Sequence, residues 1–334
     1  MKPVIYGLAG LELTPDERAF FSEAAPAGYI LFKRNCGDRA QLRALTDSLR
    51  ALHGCDDLLI MIDQEGGRVA RMQPPEWPAF PAGAAFDALY EKAPISAIEA
   101  ARANAEALGL MLSEAGITVD ALPLLDVRQE GANDVIGDRA YGHEPMRVAA
   151  IGRAVIEGLQ AGGVTGIVKH MPGHGRVLVD SHKALPVVDA SEEELESDLR
   201  PFRQLNWAPI GMTAHIVYSA WDDARPGTLS AYVIEKIIRQ RIGFDGLLMT
   251  DDIDMKALSG TPAEKALGAV EAGVDLVLDC WARMDEMVAI ANVLPDASEK
   301  TRERLDKAMA FAKRPEPARF AELVAKRDEL LALA

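Results

Sequence analysis

The sequence predicts a (β/α)8 barrel of the TIM type, and three observations lead there. Short, nearly uninterrupted apolar runs alternate with longer amphipathic ones along all 334 residues, the pattern of strand and helix in turn. The apolar runs lack a polar face, which suits strands buried on both sides in a parallel sheet. The competing arrangement, a doubly wound sheet, would carry a Gly-rich dinucleotide fingerprint after its first strand, and none is present. Such barrels occupy about 250 residues or more, so residues 1–334 are expected to form one barrel domain, with any site at the C-terminal face of the strands.

The elements follow in order. VIYGL (4–8) is the weakest strand signal, and YILF (29–32) is the next. DRAQLRALTDSLRAL (38–52) has helical spacing and leads into LLIMID (58–63). ITVDALPLLDV (117–127) reads as one long strand. EPMRVAAIGRAVIEGLQAGG (144–163) ends on glycines, as helix C-termini often do, and feeds GIVKH (166–170). Ser191 and Glu194 have capping-box spacing and open a helix towards Phe202, before IGMTAHI (210–216). SAYVIEKIIRQRIG (230–243) runs from a cap-type serine to a glycine, then GLLMTDD (246–252) follows. AEKALGAVEAG (263–273) precedes VDLVLD (274–279), and the charged stretch from Ser298 onward reads as ordinary surface helices.

Composition narrows the function. Hydrophobic residues make up 49% of the chain, enough for a large core. No run of about 18 apolar residues exists to span a bilayer, and the N-terminus MKPVIYGLAGLELTPDE lacks the features of a secretory signal, so a cytoplasmic protein without a membrane partner is expected. Cys36, Cys55 and Cys280 have no motif spacing and read as reduced thiols. A net charge of −15 without a basic stripe argues against a nucleic-acid partner.

The polar residues that end the apolar runs are the informative feature. Asp63, Asp126, Lys169-His170, His215, Asp251-Asp252 and Asp279 close six of the seven stronger runs. In a parallel barrel these positions share one mouth, where the chemistry of the fold sits. Any one of them alone is a helix cap or an ion-pair partner; as a set they mark a site. After Asp63, Gly66-Gly67 permits a tight turn before Arg68 and Arg71. Asp63 beside an arginine suits vicinal sugar hydroxyls and equally a structural ion pair. Arg139 lies on a Gly-flanked loop, placed to meet a polar ligand group.

KHMPGHGRVLVDSH (169–182) holds half of the six histidines: His170, His174 and His182. A metal site is one reading. Against it, Pro172-Gly173 separates His170 from His174, so they cannot share a helix face, and neither His-x-His nor His-Glu-x-x-His occurs. A phosphate nest built on GHG is a second reading, but no matching Gly-rich loops follow the last two strands. A non-catalytic sugar-binding protein is a third. No metal and no cofactor are expected. His53 and His143 read as surface or interface histidines, Trp77 as packing, His174 as either a brace at the loop base or a substrate contact, and His215 as pocket floor or a satisfied buried group.

DQEGGRV (63–69), VIGDRAYG (135–142), KHMPGHG (169–175), DSH (180–182), MTAHIVY (212–218) and TDDIDM (250–255) stand in an order and spacing that resembles glycoside hydrolase family 3. More narrowly, they resemble its β-N-acetylhexosaminidases of the NagZ type, over roughly residues 5–280. The resemblance implies a retaining exo-β-N-acetylglucosaminidase (EC 3.2.1.52) acting on N-acetylglucosaminyl 1,6-anhydro-N-acetylmuramic acid muropeptides in cell-wall recycling, and a monomer is expected. It implies Asp251 as nucleophile, an Asp180-His182 dyad as general acid/base on a mobile loop, and Asp63, Arg71, Arg139, Lys169 and His170 as sugar-positioning groups. The alternative within the family is a β-glucosidase or xylosidase, many of which take their acid/base from a second α/β domain for which these 334 residues leave no room. Two positions depart from the usual motifs: Asp254 stands where a serine is common, and Met171 replaces a phenylalanine. A carboxylate at 254 either raises the pKa of the nucleophile or faces away from it, whereas Met171 keeps an apolar filler.

Overall fold

The computed structural model describes residues 1–178, 185–313 and 315–334. Among them the strands are β1 (Lys2–Gly7), β2 (Pro26–Leu31), β3 (Leu59–Ile62), β4 (Val119–Asp120), β5 (Thr165–Met171), β6 (Val187–Val188), β7 (Ile210–Thr213), β8 (Val217–Tyr218), β9 (Leu247–Asp252) and β10 (Leu276–Asp279). All but β6 and β8 close into a barrel in the order β1-β10-β9-β7-β5-β4-β3-β2, with every neighbouring pair parallel. The helices around it are α1 (Pro15–Ala24), α2 (Arg39–His53), α3 (Gly83–Lys92), α4 (Pro94–Glu114), α5 (Pro145–Ala161), α6 (Glu192–Gln204), α7 (Pro262–Ala272), α8 (Met284–Val293), α9 (Glu299–Met309) and α10 (Phe320–Leu331), with a π-helix over Val233–Ile242. β6 and β8 form a separate parallel pair beside the mouth.

Local chemistry sets the boundaries. Thr14, Ser191 and Thr261 open α1, α6 and α7 with reciprocal capping boxes, which satisfy backbone donors that the first helical turn leaves unpaired. Gly54, Gly243 and Gly273 end their helices in the left-handed conformation that glycine adopts without a Cβ clash. Inside the barrel Ile5, Met61, Ile167, Met249 and Leu276 pack into one buried cluster, so the centre is a filled core, not a pore.

Two expectations need correction, and the weakest strand signal holds. The long strand 117–127 contributes only Val119–Asp120 to the regular ladder, because Pro123 has no N–H to donate. The chain still runs beside β5, with Ile167 N–H donating to Leu122 O (2.7 Å) and Leu125 N–H to Lys169 O (2.7 Å). That path delivers Asp126 to the mouth. The weakest signal, VIYGL, lies in a complete strand, β1. The charged C-terminal stretch is not all surface: α9 seals the base of the barrel, where Leu305 and Ala308 join the inner cluster and Thr165 Oγ1 donates to Ala308 O (3.0 Å). Among the described residues, no helix is long and apolar enough to cross a membrane.

Candidate active site

A cavity of about 590 Å³ opens at the C-terminal mouth. One wall is polar and deep. Glu65 is buried and accepts two parallel hydrogen bonds from Arg139, Nε to Oε2 and Nη2 to Oε1, each 2.7 Å. Lys169 Nζ lies 2.6 Å from the same Oε1 and 3.4 Å from Asp63 Oδ1. Arg71 Nη2 donates to Asp63 Oδ2 at 2.9 Å. The turn after β3 sets this geometry: Gly66 and Gly67 both have positive φ, and a Cβ on Gly66 would sit 2.3 Å from Pro81 O.

Charge pairing decides the ionisation here. Burial pushes the Glu65 carboxyl up, but Arg139 and Lys169 hold it far below the ordinary glutamate value. Burial depresses Lys169, and Glu65 and Asp63 more than offset it, so the ammonium persists. Two carboxylates, Asp63 and Glu65, thus face three cations, Arg71, Arg139 and Lys169.

Asp126 organises the next part. It is fully buried at the end of the irregular chain after β4. Its Oδ2 lies 2.7 Å from His170 Nδ1, and its Oδ1 accepts the backbone N–H groups of His170 (3.1 Å) and His174 (2.7 Å). One carboxylate therefore fixes the His170 ring and the PGHG turn together. His174, its ring centroid 5.4 Å from that of His170, is depressed to about 4 by burial and by the charge of His170.

Asp251 ends β9 at the centre of the mouth. Burial would raise its carboxyl, but His170, His215, the Asp252 N–H and Lys169 outweigh that and hold it below the ordinary aspartate value. Asp252 N–H donates to Asp251 Oδ1 at 2.8 Å. Asp252 itself is pushed up to about 6, by burial first and then by the charges of Asp251 and Asp254. Its Oδ2 accepts Trp281 Nε1–H at 3.1 Å.

Asp63, Arg71, Arg139, Lys169, His170 and Asp251 all line this one cavity. Asp180 and His182 lie outside the described residues. Arg68 reaches the rim but is spent on Asp138 Oδ1 (2.8 Å) and on backbone carbonyls of 134–136. Asp254 turns away to Arg283 (2.7 Å) and acts on Asp252 rather than on Asp251. Met171 is fully buried. His215 is buried and satisfied, between Thr228 Oγ1 (2.7 Å) and Asp252 O (3.0 Å). His53 meets Tyr29 Oη (2.6 Å), His143 meets Arg128 O (2.7 Å), and Trp77 packs in the core. Among the described residues no three His, Cys, Asp or Glu side chains are grouped as metal ligands.

Sequence reasoning missed Glu65 and the part played by Asp126. Glu65 sits inside the quoted DQEGG, yet only the fold brings Arg139 to it across 74 positions.

Residues 8–312 match the glycosyl hydrolase family 3 N-terminal domain. A beta-hexosaminidase of Alkalilimnicola ehrlichii is 38% identical over 303 residues, covering 88% of this chain and 84% of that protein. The crystal structure of native NagZ from Neisseria gonorrhoeae is similar with a TM-score of 0.89 at 32% identity, covering 100% of this chain and 98% of that one. The structure of the same protein with N-trifluoroacetyl-D-glucosamine gives 0.88, also at 32% identity, with the same coverage.

Proposed function

The chain belongs to glycosyl hydrolase family 3, and on that premise we propose how its pocket works as an exo-β-N-acetylglucosaminidase. The observation that carries the reading is a half-buried Asp251 at the end of β9, its carboxyl held below the ordinary aspartate value, facing a wall of fixed hydrogen-bonding charges. Asp63, Arg71, Arg139, Lys169 and His170 grip the hydroxyl and amide groups of the terminal N-acetylglucosamine and present its anomeric carbon to Asp251.

Asp251 then attacks that carbon as the glycosidic bond breaks, forming a covalent glycosyl-enzyme with inverted configuration. By resemblance to the family, His182 gives its proton to the departing oxygen, while Asp180 orients the ring and stabilises the imidazolium. An imidazole near its reference pKa of about 6.5 can give and then retake a proton at neutral pH. In the second step His182 takes a proton from water, water attacks the anomeric carbon, and Asp251 leaves with net retention. Residues 1–334 act as one catalytic domain. The physiological substrate we assign is an N-acetylglucosaminyl 1,6-anhydro-muropeptide, cleaved by a cytoplasmic monomer in cell-wall recycling.

A 5-fluoro-N-acetylglucosaminyl fluoride is expected to trap the intermediate, and peptide mass mapping should place the sugar on Asp251. A sugar on any other residue overturns the assignment. Hydrolysis of aryl N-acetylglucosaminide, glucoside and xyloside in parallel, then of a muropeptide, tests the substrate; preference for glucoside or xyloside would overturn it.

A further inference from the structure

We propose that Trp281 is the platform on which the leaving-group sugar stacks, and that Asp252 holds the indole in place for it. The inference rests on the reading of the cavity as an exo-β-N-acetylglucosaminidase site. Trp281 follows Cys280 directly beyond the end of β10 and lines the same cavity as Asp251.

Three features set this residue apart. The first is depth. Lys169, His170 and Glu65 are 2%, 6% and 7% exposed at the closed end of the cavity, whereas Trp281 is 55% exposed at its rim. An exo-acting enzyme buries the terminal sugar in the closed end, so the part of the substrate beyond the cleaved bond lies at the rim. The second is chemistry. The only polar atom of the indole is already used, because Nε1–H donates to Asp252 Oδ2. What remains is the apolar ring face, and its natural partner in a carbohydrate is the C–H face of a pyranose.

The third feature is that the position is held. Asp252 Oδ1 accepts Asp254 N–H at 3.1 Å, Asp254 pairs with Arg283 at 2.7 Å, and Arg34 Nη2 donates to Cys280 O. Between Trp281 and Arg283 the backbone passes through Ala282 with φ +55°, a left-handed conformation that costs a non-glycine residue about 1 kcal/mol or more. A surface loop with no task would relax there. Instead both flanks are pinned, and the indole is fixed to the residue that follows the nucleophile. The ring is thereby pre-organised, and binding need not freeze it.

The experiment compares kcat/KM on two substrates with one glycone: N-acetylglucosaminyl fluoride, whose leaving group is a single atom, and N,N′-diacetylchitobiose, whose leaving group is a sugar. For both, kcat/KM reports the step that breaks the glycosidic bond. W281A is expected to lose about tenfold more on the disaccharide than on the fluoride, the size of one well-packed aromatic contact. W281F, which keeps a ring face but not the bond to Asp252, is expected to recover most of that difference. The fluoride rate in the same preparation reports the folded fraction. Equal losses on the two substrates, no loss on either, or a W281F no better than W281A would overturn the platform. Failure of the underlying functional reading looks different: the unaltered protein would cleave neither substrate.

Discussion

Glu65 shows how much of the pocket depends on one buried charge. Its two oxygens hold Arg139 and Lys169, and with Asp63 it leaves the wall one positive charge in surplus, which favours an ionised Asp251. Glu65→Gln keeps the shape but leaves two buried cations undercompensated. Removing one partner of a buried pair costs about 3–5 kcal/mol, so E65Q should lower the free energy of unfolding in urea by about 3 kcal/mol and reduce kcat/KM by about a hundredfold or more through misplaced sugar contacts. A stable but inactive E65Q would move Glu65 from scaffold to direct contact. Asp279 carries the opposite lesson. It is buried at the end of β10, and burial with the charge of Asp252 pushes it up to about 7 from an ordinary 3.8. Between those values the folded state holds a proton that the unfolded chain has lost, so the stability this carboxyl contributes is complete below about pH 4 and is lost as pH rises towards 7. Asp279→Asn removes that loss. Melting temperatures at pH 5 and pH 8 should therefore differ less in D279N than in the parent, with the gain at pH 8; an unchanged difference would refute it.

In the proposed mechanism the segment from β5 towards residue 182 carries the proton transfer. Its base is fixed by Asp126, and a Cβ on Gly175 would sit 1.9 Å from Val127 O, so no side chain fits where the turn passes the chain after β4. Gly175→Ala must shift the turn, at an overpacking cost of about 1–3 kcal/mol, and with it the base of the segment that leads to His182. Its activity should fall most on substrates with poor leaving groups, which need protonation. His182→Ala should show the same signature at about 10²–10⁴-fold. A loss independent of the leaving group would separate the segment from proton transfer. Elements of this kind were legible where a continuous apolar run ended in a charge, as at Asp63, Lys169-His170 and Asp251, because a strand buried on both faces imposes that pattern. The irregular path at Leu122–Val127 was not, since its regularity is lost at Pro123 while its apolar content is unchanged. Helix α4 escaped notice for a related reason: its buried residues, among them Ala97, Ala103, Ala105 and Leu110, lie on nearly every side, so no amphipathic stripe announces it. Contacts such as Asp126 with His170, across 44 positions, exist only once the barrel has closed.

Closure itself is secured at the end opposite the site. There Asp275, at the start of the last strand, accepts Arg239 Nη2 (2.7 Å), Arg304 Nη1 (3.0 Å) and the Leu248 N–H (2.9 Å). Arg304 lies on α9 and also meets Asp245, so a C-terminal helix is tied through one carboxylate to the final turn of the barrel wall. This is the physical reason that a strongly charged helix belongs to the core: its arginine is buried because its partner is, and its apolar side plugs the cluster around Ile5 and Ile167. Arg304→Ala removes one of the two cations on Asp275. Arg239 still neutralises it, so the cost should fall below that of a fully broken buried pair, about 2–3 kcal/mol, or roughly 5 °C in Tm for a chain of this size. Because α9 packs against the base of the same barrel, R304A should melt in one transition with the whole chain, and kcat/KM well below that temperature should stay at the parent value. Calorimetry checks both points. An unshifted Tm would show that α9 does not brace the barrel, and two separated transitions would show that residues 1–334 are more than one folding unit.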